Sequence, residues 1–424
     1  MPPASTSQEL AVREQADEAR ALVRLAFDEL SRVPGGIWGT HRAVASRAFQ
    51  LTGPVGRMVQ MAHDGISGAV YGSLRGGTRT LGLAASAAVN GRPGRVLSTT
   101  PLGGAVVGAI DGLMGDALER DQSALHEPMS VRGNDLRVEP DRDSLAAAFP
   151  RAQPRLVVFV HGLMGTELGW RLGARNGRES YGERLERELD CTPVYVRYNS
   201  GRHISENGRD LADMLEQVVA AWPVEVEEVA IVGHSMGGLV SRSACHHAAL
   251  DGANWAGLVR HVVSLGTPHL GAPLAQGVHY LAAGLNRLPE TQPYGAFFGR
   301  RSAGIRDLRQ GSLVDVDWKD RDPDALAAVA CEEVPLLEGA THCFVAATIT
   351  ANGMDPLGRL IGDVLVLQPS ASGRSKKRRI PFEEEYGMHV GGTHHIALLN
   401  HPAVYEKLRE WLAAAPASGS APRK

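Results

Sequence analysis

Paired cysteines are missing from this 424-residue sequence. Its four, Cys191, Cys245, Cys331 and Cys343, lie far apart with no Cys-x-x-Cys spacing. That argues against a disulfide framework or a thiolate zinc site and predicts buried, reduced thiols. An excess of one charge is also lacking: the net charge of −3 suggests neither nucleic acid nor a generally anionic surface as partner. No apolar run is long enough to span a membrane. The longest weakly polar stretch, Val96 to Ile110, falls short of the roughly 18 residues needed and contains Pro101, Gly103, Gly104 and Gly108. Met1 to Asp17 is polar and carries acids, with no apolar core of signal-peptide type, so the expectation is a cytoplasmic protein without a transmembrane helix. What is present is 43% hydrophobic content, enough for a sizeable core, in a length that fits one large α/β domain plus an extension.

Residues 1–150 read as that extension. Leu22, Val23, Leu25, Ala26, Phe27 and Leu30 against Arg24, Asp28, Glu29 and Arg32 predict an amphipathic helix closed by Pro34-Gly35-Gly36. Val55 to Val89 and Leu102 to Leu118 are rich in Ala and Gly and suit closely packed helices. A helical extension packed on the main domain is the first reading. An interfacial surface touching lipid is the second, since small residues and few charges suit that as well.

From about residue 151 the pattern changes to strands alternating with helices, which predicts a parallel sheet covered on both faces. Arg155 to Gly162 reads as a central strand, Thr192 to Tyr198 as another, and Asn207 to Ala221 as a helix. Val229 to His234, Ser235 to Leu250 and Val259 to Leu265 follow as strand, helix and strand. The alternation fails between about residues 272 and 340, where Tyr294, Phe297, Phe298 and Trp318 occur without a sustained period; such an insert reads as a lid or cap. Cys343 to Thr350 and Val364 to Leu367 read as further strands, Pro402 to Ala413 as a closing helix, and 414–424 as a disordered tail.

The stretch that carries chemistry is Val229 to Gly238, where an apolar strand ends in Gly233-His234-Ser235-Met236-Gly237. A serine at a tight strand-to-helix turn has its hydroxyl raised above the sheet, and glycines two residues either side keep chain and helix from colliding. The next backbone N–H, that of Met236, then points to where an oxyanion would form.

A serine hydroxyl needs a base within reach and a carboxylate to orient that base. In an α/β-hydrolase the acid and then the histidine follow the serine along the chain. Asp363, before Val364-Leu365-Val366, fits the acid, with Asp355 as its rival. Gly391-Gly392-Thr393-His394-His395 supplies the base: His395, which leads into Ile396-Ala397-Leu398-Leu399, is preferred, with His394 as the alternative. A metal site from His394, His395 and His401 lacks an acidic cluster or ligand spacing. His161 and His234 read as structural, and His401 as a helix-start residue. The loop His161-Gly162-Leu163-Met164-Gly165 implicates the Leu163 N–H as second oxyanion donor. Lys376-Lys377-Arg378-Arg379, followed by Glu383-Glu384-Glu385, reads as a solvated loop, with contact to anionic lipid headgroups as the minor alternative.

Taken together, Val160-His161-Gly162-Leu163, Gly233-His234-Ser235-Met236-Gly237-Gly238, Gly266-Thr267-Pro268-His269-Leu270-Gly271, Gly362-Asp363 and His395-x-x-Leu398-Leu399 resemble the α/β-hydrolase superfamily. The Gly-Thr-Pro-His-x-Gly segment is similar to bacterial lipases and the GPI inositol-deacylase-like group. The resemblance covers about residues 150–413. It implies an α/β-hydrolase fold and cofactor-free hydrolysis of lipophilic carboxylic esters by a serine esterase or lipase. Ser235, Asp363 and His395 would then form the triad, and Leu163 and Met236 the oxyanion pair. An acyltransferase or thioesterase with the same triad is the enzymatic rival. A lipid-binding or assembly protein using residues 1–150, with peripheral membrane contact, is the rival of another class. Motifs leave the oligomeric state open.

Overall fold

The β-branched runs of the sequence become strands because each can bury both of its faces. In the computed structural model, which describes residues 4–50, 53–88, 97–174, 179–272, 275–276, 279–280, 285, 287, 291–292, 300–323, 325, 330–351, 362–363, 365–375 and 378–414, eight strands make one sheet. They are β1 (Ser130–Gly133), β2 (Leu136–Val138), β3 (Arg155–Val160), β4 (Thr192–Arg197), β5 (Glu228–His234), β6 (Val259–Leu265), β7 (Thr341–Thr348) and β8 (Gly387–Gly391). Their order is β2-β1-β4-β3-β5-β6-β7-β8. All pairs from β4 to β8 are parallel, while β1 runs antiparallel to β2 and β4.

Successive side chains of a strand face opposite sides, and the core divides accordingly. Leu156, Val158, Val160, Val229 and Ile231 join one apolar cluster. It includes Leu211 and Leu215 of α6 (Ile204–Ala221) and Leu239 and Val240 of α7 (Met236–Asp251). Val157, Phe159, Ala230, Val232, Val263 and Leu265 join the other. There they meet Leu185 of α5 (Tyr181–Leu189) and Tyr405, Leu408 and Trp411 of the closing helix, Pro402–Ala413. Each fully buried Val, Leu, Ile or Phe among them contributes on the order of 1.5–3 kcal/mol. A mostly parallel sheet between two helical layers, with the chain turning into a helix at the end of β5, is the α/β-hydrolase fold.

By its internal contacts the chain divides into two units. One comprises Met1–Gly103, Leu118–His126 and Gly277–Arg301; the other comprises Gly104–Ala117, Glu127–Gln276 and Ser302–Lys424. In the first, α1 (Ala4–Gln50) and α2 (Gly53–Ala88) pair antiparallel. Gln60 Nε2 donates to Ser46 Oγ at 2.8 Å, the His63 and His41 rings are 5.0 Å apart, and Ser86 Oγ donates to the Arg20 carbonyl at 3.2 Å. The expected helix end at Pro34-Gly35-Gly36 is corrected here: α1 continues through it. Proline and glycine are weak helix formers, but pairing with α2 outweighs their local cost. No helix among the described residues is long and apolar enough to cross a membrane.

The sheet unit starts earlier in the chain than residue 151. The β1–β2 hairpin and α4 (Arg142–Ala148) lie in a stretch expected to be part of a helical extension. Residues 104–117 of α3 (Pro101–Arg120) also belong to this unit. The 272–340 insert is shared between the units. Its part after residue 301 is held in place: Asp307, on α8 (Ala303–Leu308), accepts from the Ile204 N–H at 2.8 Å and from His203 Nδ1 at 3.1 Å. Trp318 stacks on His203 with ring centroids 3.6 Å apart. Tyr294, Phe297 and Phe298, and all of the expected tail except Ala414, lie outside the described residues. The expected strand at Val364 to Leu367 is corrected as well. Its described residues, 365–367, form a turn in which the Asp363 N–H donates to the Val366 carbonyl, and the last strand is β8.

Candidate active site

Ser235 sits between β5 and α7 with φ 54° and ψ −123°, a conformation that costs a non-glycine residue about 1–3 kcal/mol. The surroundings force it. A Cβ on Gly233 would lie 2.5 Å from the Gly238 nitrogen, and one on Gly237 would lie 2.2 Å from the Val160 carbonyl oxygen. Both obstacles are backbone, so neither can move aside. The Ser235 N–H donates to the Leu265 carbonyl at 2.8 Å, fixing the turn to the end of β6. Ser235 itself is half-buried, whereas Val229–His234 before it and Met236–Cys245 after it are buried. The hydroxyl is therefore the one reachable group at the turn.

Asp363 follows β7 and His395 follows β8. His395 Nδ1 lies 2.7 Å from Asp363 Oδ2, with the two residues 3% and 1% exposed. The other carboxylate oxygen, Oδ1, accepts from the Leu365 and Val366 N–H groups at 3.0 and 2.8 Å. With three donors converging on it, the carboxylate accepts, so His395 Nδ1 carries the proton and Nε2 is left as a lone-pair base. The backbone ties the pair again, the His395 N–H donating to the Asp363 carbonyl at 3.1 Å. Gly266, next to the Leu265 that holds Ser235, lies against the ring: a Cβ there would be 3.1 Å from His395 Cε1. Ser235 and His395 thus flank one peptide at the end of β6.

His394 is placed differently. It is exposed, and its Nδ1 accepts from the Ala397 N–H at 3.3 Å, capping the turn that follows. No contact joins it to Asp363 among the described residues. Asp355, the rival acid, lies outside them.

The loop after β3 runs directly against the serine, since a Cβ on Gly162 would lie 2.9 Å from Ser235 Cβ. Leu163 follows Gly162, and Met236 opens α7. Among the described residues neither N–H has a hydrogen-bond partner, so both remain available to an oxyanion. The Met164 N–H is already used, donating to Ser200 Oγ at 3.1 Å.

Sequence reasoning missed what holds this loop. Arg197, at the end of β4, reaches Glu167 with Nε and Nη2 at 2.6 and 2.5 Å and Glu127 with Nη1 at 3.0 Å. Arg132 closes the network on Glu127 at 2.6 Å. Asn199 donates to the Gly115 carbonyl at 2.9 Å. The available signal was the polar run Tyr198-Asn199-Ser200-Gly201 at the carboxyl end of a buried strand. Residues 104–117 of α3 press on the same loops: a Cβ on Gly112 would lie 2.4 Å from Met164 Cγ.

His161 and His234 are buried and neutral. Burial pulls His161 down to about 4 and His234 to about 3, the latter with a smaller contribution from the neighbouring His395. His161 Nδ1 donates to the Gly162 carbonyl at 2.9 Å and its Nε2 accepts from the Tyr198 N–H at 3.3 Å. His234 Nε2 donates to the His395 carbonyl at 3.3 Å. Both rings are framework for the loops beside Ser235. Among the described residues no group of three His, Cys, Asp or Glu side chains could hold a metal ion.

Residues 151–318 match the model of the PGAP1-like alpha/beta domain family. The match contains Ser235 and stops before Asp363 and His395. No curated protein matches the chain. Among solved structures, the chain is similar to the Bacillus licheniformis lipase BlEst2. Its mature form is 20% identical, with 60% of this chain and 91% of that one covered and a TM-score of 0.38. Its propeptide form is 21% identical, with 64% and 53% covered and a TM-score of 0.42. The phospholipase PlaB from Legionella pneumophila is 15% identical, with 62% and 60% covered and a TM-score of 0.38.

Proposed function

We propose that this α/β-hydrolase-fold protein is a serine hydrolase of lipophilic carboxylic esters, with Ser235 as nucleophile, His395 as base and Asp363 as the group that orients it. The observation that carries the reading is the 2.7 Å His395–Asp363 hydrogen bond beside a strained, half-buried serine at a strand-to-helix turn. In the reaction, Ser235 Oγ attacks the acyl carbonyl and its proton passes to His395 Nε2. The Leu163 and Met236 N–H groups stabilise the tetrahedral oxyanion, and Asp363 stabilises the imidazolium. His395 then protonates the leaving alcohol. Water, deprotonated by the same ring, attacks the acyl-enzyme and releases the acid, restoring the serine.

The lipophilic part of the reading rests on the resemblance of the Gly266–Gly271 segment to bacterial lipases. Hydrolysis of p-nitrophenyl esters of increasing acyl length by purified protein tests it. Rates that hold or rise from short to long chains are expected, with activity abolished in Ser235→Ala. Rates that collapse beyond short chains would leave a serine esterase and remove the lipase reading.

A further inference from the structure

Leu163, whose N–H is one of the two donors in the proposed mechanism, is the second residue of a four-residue turn. The Gly165 N–H closes that turn on the Gly162 carbonyl at 3.0 Å. Met164, the third residue, has φ 59°, whereas Leu163 is not among the residues with positive φ. A left-handed third residue after an ordinary second one makes a type II turn, a position suited to glycine or asparagine. A methionine there is strained. Rotating the central peptide, the one between Leu163 and Met164, into the commoner type I form would relieve the strain. Something must therefore hold that peptide.

The N–H of the central peptide is that of Met164, and Ser200 Oγ accepts it at 3.1 Å. Ser200 is fully buried, and the backbone on either side of it is anchored by three elements. Asn199 donates its Nδ2 to the Gly115 carbonyl of α3 at 2.9 Å, and its own carbonyl accepts from Asn207 Nδ2 on α6 at 2.9 Å. The Gly201 carbonyl accepts from the Gly304 N–H on α8 at 3.0 Å. The Ser200 oxygen is thus a fixed point, and rotation of the peptide would break the bond to it.

The first residue of the turn is packed on the nucleophile, since a Cβ on Gly162 would lie 2.9 Å from Ser235 Cβ. Leu163 therefore stands between a residue set against Ser235 and a residue bonded to Ser200. Oxyanion donors act over a narrow range of distance, and a displacement of about 1 Å in such a site costs on the order of a hundredfold in rate. A shift of the turn is large on that scale.

We propose that Ser200 is a positioning residue for the oxyanion hole: by accepting from the Met164 N–H it holds the strained turn in the form that presents the Leu163 N–H to the oxyanion. Ser200 acts through Met164 and does not touch the substrate. The inference rests on the reading of Ser235 as nucleophile and Leu163 as donor, and it adds a residue from the end of β4 to the machinery of that reaction.

The test compares kcat/KM on p-nitrophenyl acetate and on its thiono analogue, in which sulfur replaces the carbonyl oxygen, for full-chain wild type, Ser200→Ala and Ser235→Ala. Sulfur accepts hydrogen bonds poorly, so a working oxyanion hole favours the oxygen ester, and the ratio of the two rates reports the donors rather than the general integrity of the fold. In Ser200→Ala, kcat/KM for the oxygen ester should fall by at least about tenfold, and the oxygen-to-sulfur ratio should fall with it. A slower enzyme with an unchanged ratio would leave Ser200 a structural residue only and overturn the proposal. So would a Ser200→Ala enzyme within about twofold of wild type on both esters. Wild-type hydrolysis that survives in Ser235→Ala is the separate outcome that removes the nucleophile, and this inference with it. Should Ser200→Ala fail to fold, Ser200→Cys, similar in size but a weaker acceptor, is judged by the same two criteria.

Discussion

His394 and His395 are neighbours in the chain with opposite surroundings. His395 is enclosed, with its Nδ1 on a carboxylate that two backbone N–H groups also hold. His394 is exposed and serves as the cap of a short turn. Under the proposed mechanism, loss of His395 removes the base, and it leaves Asp363 buried without its partner, whereas loss of His394 removes one turn cap. Ester hydrolysis by His395→Ala is expected to fall by at least about a thousandfold. His394→Ala should keep activity within a few-fold of wild type, with stability lower by about 0.5–2 kcal/mol. Initial-rate measurements on the two purified variants check this, and the reverse pattern would exchange their roles. Both histidines were legible because glycines and a following apolar run marked a functional loop. The choice between them depended on which ring reaches Asp363, and that is a matter of packing.

At the scale of elements, the close approach of α3 to the loop after β3 depends on missing side chains. A Cβ on Gly112 would lie 2.4 Å from Met164 Cγ and 2.9 Å from the Met164 nitrogen, so the backbone itself stands in the way. On α2, by contrast, a Cβ on Gly72 meets nothing within 4 Å. Gly112→Ala is therefore expected to destabilise by about 1–3 kcal/mol and to lower kcat by displacing the loop that carries Leu163. Gly72→Ala should stabilise by about 0.5–1 kcal/mol through helix propensity. Chemical denaturation of the two variants distinguishes them, and equal effects would contradict the close packing. The central strands were legible because continuous β-branched runs suit burial on both faces. β8 was not: Gly387-Met388-His389-Val390-Gly391 has little strand character of its own, and its conformation is set by parallel pairing with β7. The expected strand at Val364 to Leu367 misled in the other direction: an apolar stretch reads as a strand, but its described residues, 365–367, follow Gly362 at φ 63° and are turned back by the bond from the Asp363 N–H to the Val366 carbonyl. The Arg197 network was equally illegible, its partners Glu167 and Glu127 lying 30 and 70 residues away in the chain.

For the whole molecule, buried neutral histidines determine the response to acid. Burial lowers His161 to about 4, His234 to about 3 and His342 to about 4, and carries His269 well below its ordinary value. Between about pH 6.5 and pH 4 the unfolded chain binds protons that these rings refuse in the folded state, so stability falls as the pH falls. Each ring contributes up to about 1.4 kcal/mol per pH unit inside that window. Asp111 and Asp307, raised chiefly by burial, act in the opposite sense but are fewer. The Tm should therefore drop between pH 7 and pH 5, and a flat or rising Tm would contradict the assignment of these rings as neutral framework. The central claim is that Ser235 is an activated nucleophile, and its most direct test is labelling of the purified full chain with a fluorophosphonate probe, read by peptide mass spectrometry. The account predicts one adduct, on Ser235, absent from Ser235→Ala and strongly slowed in His395→Ala; an unlabelled Ser235 in folded wild-type protein would contradict it.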